Sequence, residues 1–193
     1  MKTIIKVLFV SVFILLIASC NSETKKESTD NSSTTETVTD DNKQGQAFLR
    51  DDEGKPSVLH IAIGSESHTT LVAAVQAASL ENALVNAGPL TVFAPTNDAF
   101  AALPEGTVET LLKPENKGDL AFILEYHVTP GNLNVDMLKR FNNKKLGQAN
   151  NEYVDVEVKG EDIYVGGAKI IASVPAGNGI VHVIDKVMLP PSE

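Results

Sequence analysis

The sequence predicts a single α+β domain in its last two-thirds. Apolar residues between positions 58 and 127 recur mostly at helical spacing, interrupted by one short apolar run at 90–93. Later, Val154, Val156 and Val158 alternate with charged residues, which indicates a strand with one solvent-exposed face. Helices first and strands last, with one early strand, are typical of the α+β class.

Residues 1–19 are predicted to be a signal peptide rather than part of the fold. Lys2 and Lys6 precede an apolar run at 7–17, which has the length of a signal-peptide core and is too short to span a bilayer. The run ends in LIASC, which resembles a bacterial lipobox with Cys20 as the acceptor. The resemblance implies cleavage before Cys20 and acylation of its sulfur, and two or three acyl chains anchor a protein stably.

Residues 20–54 are predicted to be the lipidated cysteine followed by a disordered polar tether. Positions 21–54 hold nine acidic and four basic residues, a net charge of −5, and almost nothing apolar before residue 47. Such a composition cannot bury enough surface to offset the entropy of ordering.

The domain is predicted to cover residues 55–193, with five helices before the strand region in addition to a short helix after residue 96. The first is closed by Gly64, the second is capped by Ser67, and the third is capped by Ser79 and ends at Gly88-Pro89. These helices cover residues 58–63, 68–78, 80–87, 104–112 and 114–126.

The strand region is predicted to form a meander that ends in a central strand. Gly166-Gly167 and Asn178-Gly179 are turn signals between apolar runs. The last run is apolar on both faces except for His182, and we expect it to continue through residues 187–189. The strands cover residues 154–158, 163–165, 168–173 and 180–189.

A strand-to-helix corner at residues 90–100 is the most distinctive stretch of the chain. Pro95 has no N–H to donate and is expected to stop sheet pairing. Thr96 can cap the following helix, Asp98 suits the positive end of its dipole, and Pro95 and Phe100 occupy the hydrophobic-staple positions.

Three stretches, in order, resemble the signature motifs of fasciclin (FAS1) domains. The resemblance implies the FAS1 fold, a wedge-like β-sandwich with several helices packed at one edge and end. The first motif comprises Thr91, Val92, Phe93, Ala94, Pro95, Thr96, Asn97, Asp98, Ala99 and Phe100. The second is the pair Tyr126 and His127, and the third comprises Asn178, Gly179, Ile180, Val181, His182, Val183, Ile184 and Asp185.

The histidines do not follow a metal-ligand spacing, and the sequence indicates neither a metal site nor a cofactor. His182 is expected to be a hydrogen-bonded core residue. His127 is expected to be buried and to connect its helix end to the corner at 96–98, with a ligand contact as the alternative. No nucleophile motif is present, so we expect no enzyme; an Asp98–His127 pair with an unidentified nucleophile is the remaining hydrolase hypothesis.

These features favour a cell-envelope lipoprotein whose FAS1 domain mediates adhesion or another interaction. The expected partners are membrane lipid, through acylated Cys20, and a protein or polysaccharide at the cell surface. Residues 55–193 carry ten bases and sixteen acids, a net charge of −6, which argues against nucleic acid. Because Asn21 rather than Asp follows the cysteine, we expect the lipid anchor to lie in the outer membrane or at the cell surface rather than in the inner membrane. A carrier of a small apolar ligand, bound between sheet and helices, is the main alternative.

Overall fold

The computed structural model describes residues 54–191. The predicted signal peptide, Cys20 and nearly all of the predicted tether lie outside the described residues. Within them, the helices are α1 Val58–Ile63, α2 Thr69–Ala78, α3 Glu81–Asn86, α4 Asn97–Ala101, α5 Thr107–Leu111, α6 Lys117–Glu125 and α7 Val135–Lys139. The strands are β1 Leu90–Pro95, β2 Val128–Pro130, β3 Lys144–Gly147, β4 Tyr153–Lys159, β5 Asp162–Val165, β6 Ala168–Ala176 and β7 Gly179–Ile184. The predicted α+β class is confirmed.

The seven strands form one sheet in the order β2-β1-β7-β6-β5-β4-β3. Strands β1 and β7 are parallel, with Phe93 opposite His182, and the remaining pairs are antiparallel. Just after β3, the N–H of Ala149 donates to the carbonyl of Val128 in β2 at 2.7 Å. This bond brings the two ends of the sheet together, so that the sheet nearly closes on itself.

Strand β1 separates two hydrophobic cores, because successive side chains of a strand point to opposite faces. Val92 and Ala94 pack among the helices α1, α2 and α6. Phe93 points the other way, into the interior of the curved sheet, where it joins Val156 and Ile184. Both faces of this strand are therefore buried, which explains its continuous apolar run.

Two of the predicted helix caps are wrong. Helix α2 begins at Thr69, after a 3-10 turn at Glu66–His68. Ser67 therefore lies inside the turn and does not cap helix α2. Ser79 ends α2 in the left-handed conformation, with φ 58°, and does not begin α3. Its N–H donates to the carbonyl of Gln76, which satisfies one of the free carbonyls at the helix end.

The predicted strand boundaries also differ from the structure. Strand β1 extends two residues beyond the apolar run at 90–93, and Pro95, opposite Ile184, is its last residue, as expected of a residue that stops the pairing. Strand β7 ends at Ile184, and residues 187–189 leave the sheet because the N–H of Met188 donates to a histidine side chain. Strand β6 extends beyond residue 173, and β2, α7 and β3, each three to five residues long, were not predicted.

Within residues 54–191, every helix is too short or too polar to cross a bilayer.

Candidate functional site

The corner between β1 and α4 is capped as its sequence predicts. The hydroxyl of Thr96 accepts from the N–H of Ala99 at 3.2 Å, which satisfies a free donor in the first turn of α4. Asp98 lies in that turn with an exposed side chain. The first motif is thus a buried strand joined to a short capped helix.

Asn97 ties this corner to a different helix, which the sequence did not indicate. Its Oδ1 accepts from the N–H of Thr70 at 3.0 Å, and its Nδ2 donates to the carbonyl of Glu66 at 2.9 Å. Residue 70 is the second residue of α2, whose own N-cap residue makes no side-chain cap. Asn97 therefore caps α2 from 27 residues away.

His127 is buried, and both ring nitrogens are hydrogen-bonded to backbone groups. Nδ1 donates to the carbonyl of Ile123 at 2.8 Å, and Nε2 accepts from the N–H of Met188 at 2.9 Å. Burial lowers the pKa of His127 to about 4, although the bond to Ile123 opposes the shift, so the ring is neutral at pH 7. The expected burial is confirmed.

The expected partner of His127 is wrong. Its ring contacts the segment after β7 rather than the corner at 96–98. Its hydrogen bond to the first motif comes from the backbone, where the carbonyl of His127 accepts from the N–H of Phe93 at 2.9 Å. Because both ring nitrogens are occupied, the Asp98–His127 pair of the hydrolase hypothesis is not formed.

Tyr126, the other half of the YH pair, faces the sheet interior. Its ring belongs to the core around Phe93, and its hydroxyl donates to the carbonyl of Tyr153 at 3.2 Å. Burial, with smaller contributions from the nearby carboxylates of Glu152 and Asp155, raises the pKa of Tyr126. The pair thus joins the end of α6 to β4 and to the C-terminal segment.

His182 is a fully buried, hydrogen-bonded core residue, as predicted. Nδ1 bonds the hydroxyl of Ser173 at 2.7 Å, and Nε2 donates to the carbonyl of Leu133 at 2.8 Å. The ring stacks on Phe93 with 5.7 Å between centroids, so the first and third motifs meet side by side. Burial lowers the pKa of His182 as well.

Asn178, predicted as a turn residue and as the first residue of the third motif, has a side chain that connects three segments. Its Oδ1 accepts from the N–H of Val58 at 2.9 Å, where α1 begins. Its Nδ2 donates to the carbonyls of Leu84 at 2.7 Å and Ala87 at 3.0 Å, around the end of α3. A Cβ on the neighbouring Gly179 would overlap the carbonyl of Leu90, so this position requires glycine.

Two concavities are the candidate binding surfaces of the described residues. A cavity of about 200 Å³ lies between the helices α1, α2, α3 and α6 and the sheet. A wider groove of about 490 Å³ lies beside β2, β3 and the start of β4, and its lining includes Gln148, Glu152 and Tyr153. Residues 54–191 hold no cluster of three or more His, Cys, Asp or Glu side chains suited to a metal ion.

The motifs agree with a comparison to known protein families. Residues 66–190 match the family model of the fasciclin domain. The chain belongs to the fasciclin domain family. The predicted resemblance is therefore confirmed, and the α+β architecture described above is that of a FAS1 domain.

Several relatives share this fasciclin domain. Protein sll1483 of Synechocystis sp. is 49% identical over 136 residues, covering 70% of this chain and 74% of that protein. Transforming growth factor-beta-induced protein ig-h3 of Sus scrofa is 36% identical over 140 residues, covering 70% of this chain and 20% of that protein. A solved FAS1 domain pair from the insect cell adhesion molecule fasciclin I aligns with 69% of this chain and 44% of its own, at 25% identity and TM-score 0.43.

Proposed function

We propose that this fasciclin domain is a non-enzymatic adhesion or interaction module, held at the cell envelope by acylated Cys20. One observation carries the proposal. Polar side chains of the three motifs, among them the buried His127 and His182 and the half-buried Asn178, are bonded inside the domain. These side chains stabilise the fold, and their ring nitrogens and amide groups are already hydrogen-bonded and are not free to take part in a reaction. We therefore assign the function to the outer surface of the domain.

The groove beside β3 and β4 is the part of that surface with the most suitable chemistry. Tyr153 is 61% exposed, and its ring lies over Gly147, where a Cβ would be 3.7 Å from the ring edge. Asn151 and Glu152 line the same groove and add amide and carboxylate groups beside the aromatic ring. Rigid aromatic side chains next to polar groups are typical of interaction surfaces.

The anchor and the tether complete the proposal. Acylated Cys20 would supply the membrane contact through lipid, and residues 21–54 would separate the domain from the headgroups. The net charge of −6 over residues 55–193 disfavours anionic partners, so we assign a protein or an uncharged polysaccharide at the cell surface, and no nucleic acid. We place the anchor at the outer membrane or cell surface rather than at the inner membrane.

Attachment of coated beads to whole cells tests the proposal. Tyr153→Ala is expected to reduce bead attachment at least threefold, because truncating a central aromatic side chain often removes much of the binding energy. Ile171→Ala is the matched control, because Ile171 is 54% exposed and does not line the groove. Equal attachment by the two variants would place the contact elsewhere. Pretreating the cells with protease, and in parallel with polysaccharide hydrolases, distinguishes the two partner classes.

A further inference from the structure

The cavity between the helices and β1 is too large to be an ordinary packing defect. Protein interiors contain few voids larger than a water molecule, whereas this one measures about 200 Å³. Its walls come from Val75 in α2, Leu84 in α3, Leu124 in α6 and Val181 in β7, together with parts of α1 and β1. An apolar cavity of about 150 Å³ takes up benzene, so this larger cavity has room for a molecule larger than benzene.

We propose that this cavity binds one small, uncharged and largely apolar molecule, of the size of a two-ring aromatic compound. All lining side chains except Glu125 and His127 are apolar. Such a wall offers dispersion contacts and releases water, and it cannot stabilise an ion. The ligand class is that of the carrier alternative, and the proposal is independent of adhesion through the groove.

The polar groups of the wall select against anions. Glu125 is the charged side chain of this lining, and its carboxylate repels a second carboxylate. His127 cannot compensate, because its only ring N–H already donates to the carbonyl of Ile123. A ligand hydroxyl, in contrast, can donate to Glu125. We therefore expect neutral molecules with one hydroxyl to bind better than carboxylic acids of the same shape.

A small molecule fits this wall better than a segment of polypeptide. A peptide backbone entering the cavity would carry N–H and C=O groups, and the wall provides almost no partners for them. A hydrocarbon skeleton has no such groups to satisfy. The apolar residues at 47–49, outside the described residues, are the competing occupant within this chain, and the experiment includes them.

Calorimetric titration of the chain from residue 21 onward, purified without detergent, tests the proposal. Both cores lie within the described residues, so removing residues 1–20 leaves them intact. The probes are 2-naphthol and 2-naphthoate, which share a ring system and differ in charge. We expect one 2-naphthol per chain and at least tenfold weaker binding of 2-naphthoate. Glu125→Gln is expected to narrow that difference at least threefold.

Variants at the rim locate the binding site. Ala83 and Ala87 line the cavity and are exposed, so Ala83→Phe is expected to weaken 2-naphthol binding at least tenfold. Ala87→Leu makes a smaller change at the same rim, so that the comparison does not depend on one variant's folding. The control is Ala77→Phe, because Ala77 is an exposed helix residue outside the lining, and we expect unchanged binding.

Three results would overturn the proposal. The first is no heat of binding with 2-naphthol at millimolar concentration. The second is binding that both rim variants leave unchanged. The third is binding that appears only when Phe48 and Leu49 are replaced with alanine, which would make the chain itself the occupant. Bead attachment is measured on the same variants, and Ala83→Phe is expected to leave it unchanged.

Discussion

The Nε2 atom of His127 accepts the backbone N–H of Met188 at 2.9 Å, although 61 residues separate them. The same ring holds the carbonyl of Ile123 through Nδ1. A single neutral imidazole thus fastens the segment after β7 to the end of α6. Met188 is buried in the sheet interior, so its N–H has no water to replace the histidine.

His127→Ala is expected to destabilise the domain by about 1–3 kcal/mol, because it leaves the buried N–H of Met188 without an acceptor. The melting temperature should fall by several degrees, measured by circular dichroism. His127→Gln should recover part of the loss, since an amide can donate and accept. Asp98→Ala is the control, because that exposed carboxylate contributes less than about 1 kcal/mol. An alanine variant with the melting temperature of the wild type would show that the hydrogen bond between Met188 and His127 does not stabilise the fold.

The stability of the domain is expected to fall as the pH drops from 6.5 towards 4. Burial holds the pKa of His127 at about 4, below the 6.5 of an unfolded histidine, so the unfolded chain binds the proton first. The contribution of neutral His127 to the free energy of unfolding is fully present above pH 6.5. A pKa shift of this size corresponds to about 3 kcal/mol of stability lost by pH 4. The lowered pKa of His182 acts in the same direction.

Urea denaturation at a series of pH values checks this dependence. His127→Gln carries no titrating group at this position, so its stability should fall less steeply between pH 6.5 and 4 than that of the wild type. Parallel curves for the two proteins would mean that His127 keeps an ordinary pKa in the folded state.

Asn178→Ala is expected to cost about 2–4 kcal/mol, because it removes the acceptor of the Val58 N–H and the donor to the carbonyls of Leu84 and Ala87. Asn178→Asp should not rescue the loss, since a carboxylate oxygen would face those carbonyls. Asn86→Ala removes one exposed side-chain bond and is the control, with a small effect. Chemical denaturation of the three variants gives the comparison. An aspartate variant as stable as the wild type would contradict the assigned orientation of the amide.

The lipid anchor can be tested through Cys20. Cys20→Ala is expected to abolish acylation and to leave either a retained precursor or a soluble protein. Labelling cells with palmitate and recovering the protein measures this directly. Equal incorporation by the wild type and the variant would mean that Cys20 is not the acylated residue.

The predicted tether can be tested by limited proteolysis. Trypsin is expected to cut at Lys25, Lys26 and Lys43 within minutes, while the domain from about residue 55 resists cleavage. Mass spectrometry of the fragments over time gives the order of cutting. Cleavage at these lysines as slow as cleavage within the domain would place the domain boundary earlier in the chain.

Features that depend on residues close together in the chain were predictable from the sequence. The α+β class follows from the change in hydrophobic period, and the Thr96 cap follows from a side chain that reaches a backbone group three residues away. The apolar run with His182 indicated a strand buried on both faces, and β7 lies between β1 and β6. Each of these inferences depends on residues that lie within a few positions of one another in the chain.

Contacts between residues far apart in the chain were not predictable, because they form only when the chain has folded. Asn97 caps α2 across 27 residues, and Asn178 holds the start of α1 across 120. Both contacts depend on the sheet order and the helix packing around it, and no local pattern encodes either. Strands β2 and β3, with three and four residues, are likewise too short to show a period, and they form because neighbouring strands supply their hydrogen-bond partners. The partner of His127 was missed for the same reason, since Met188 becomes its neighbour only when the chain leaves β7.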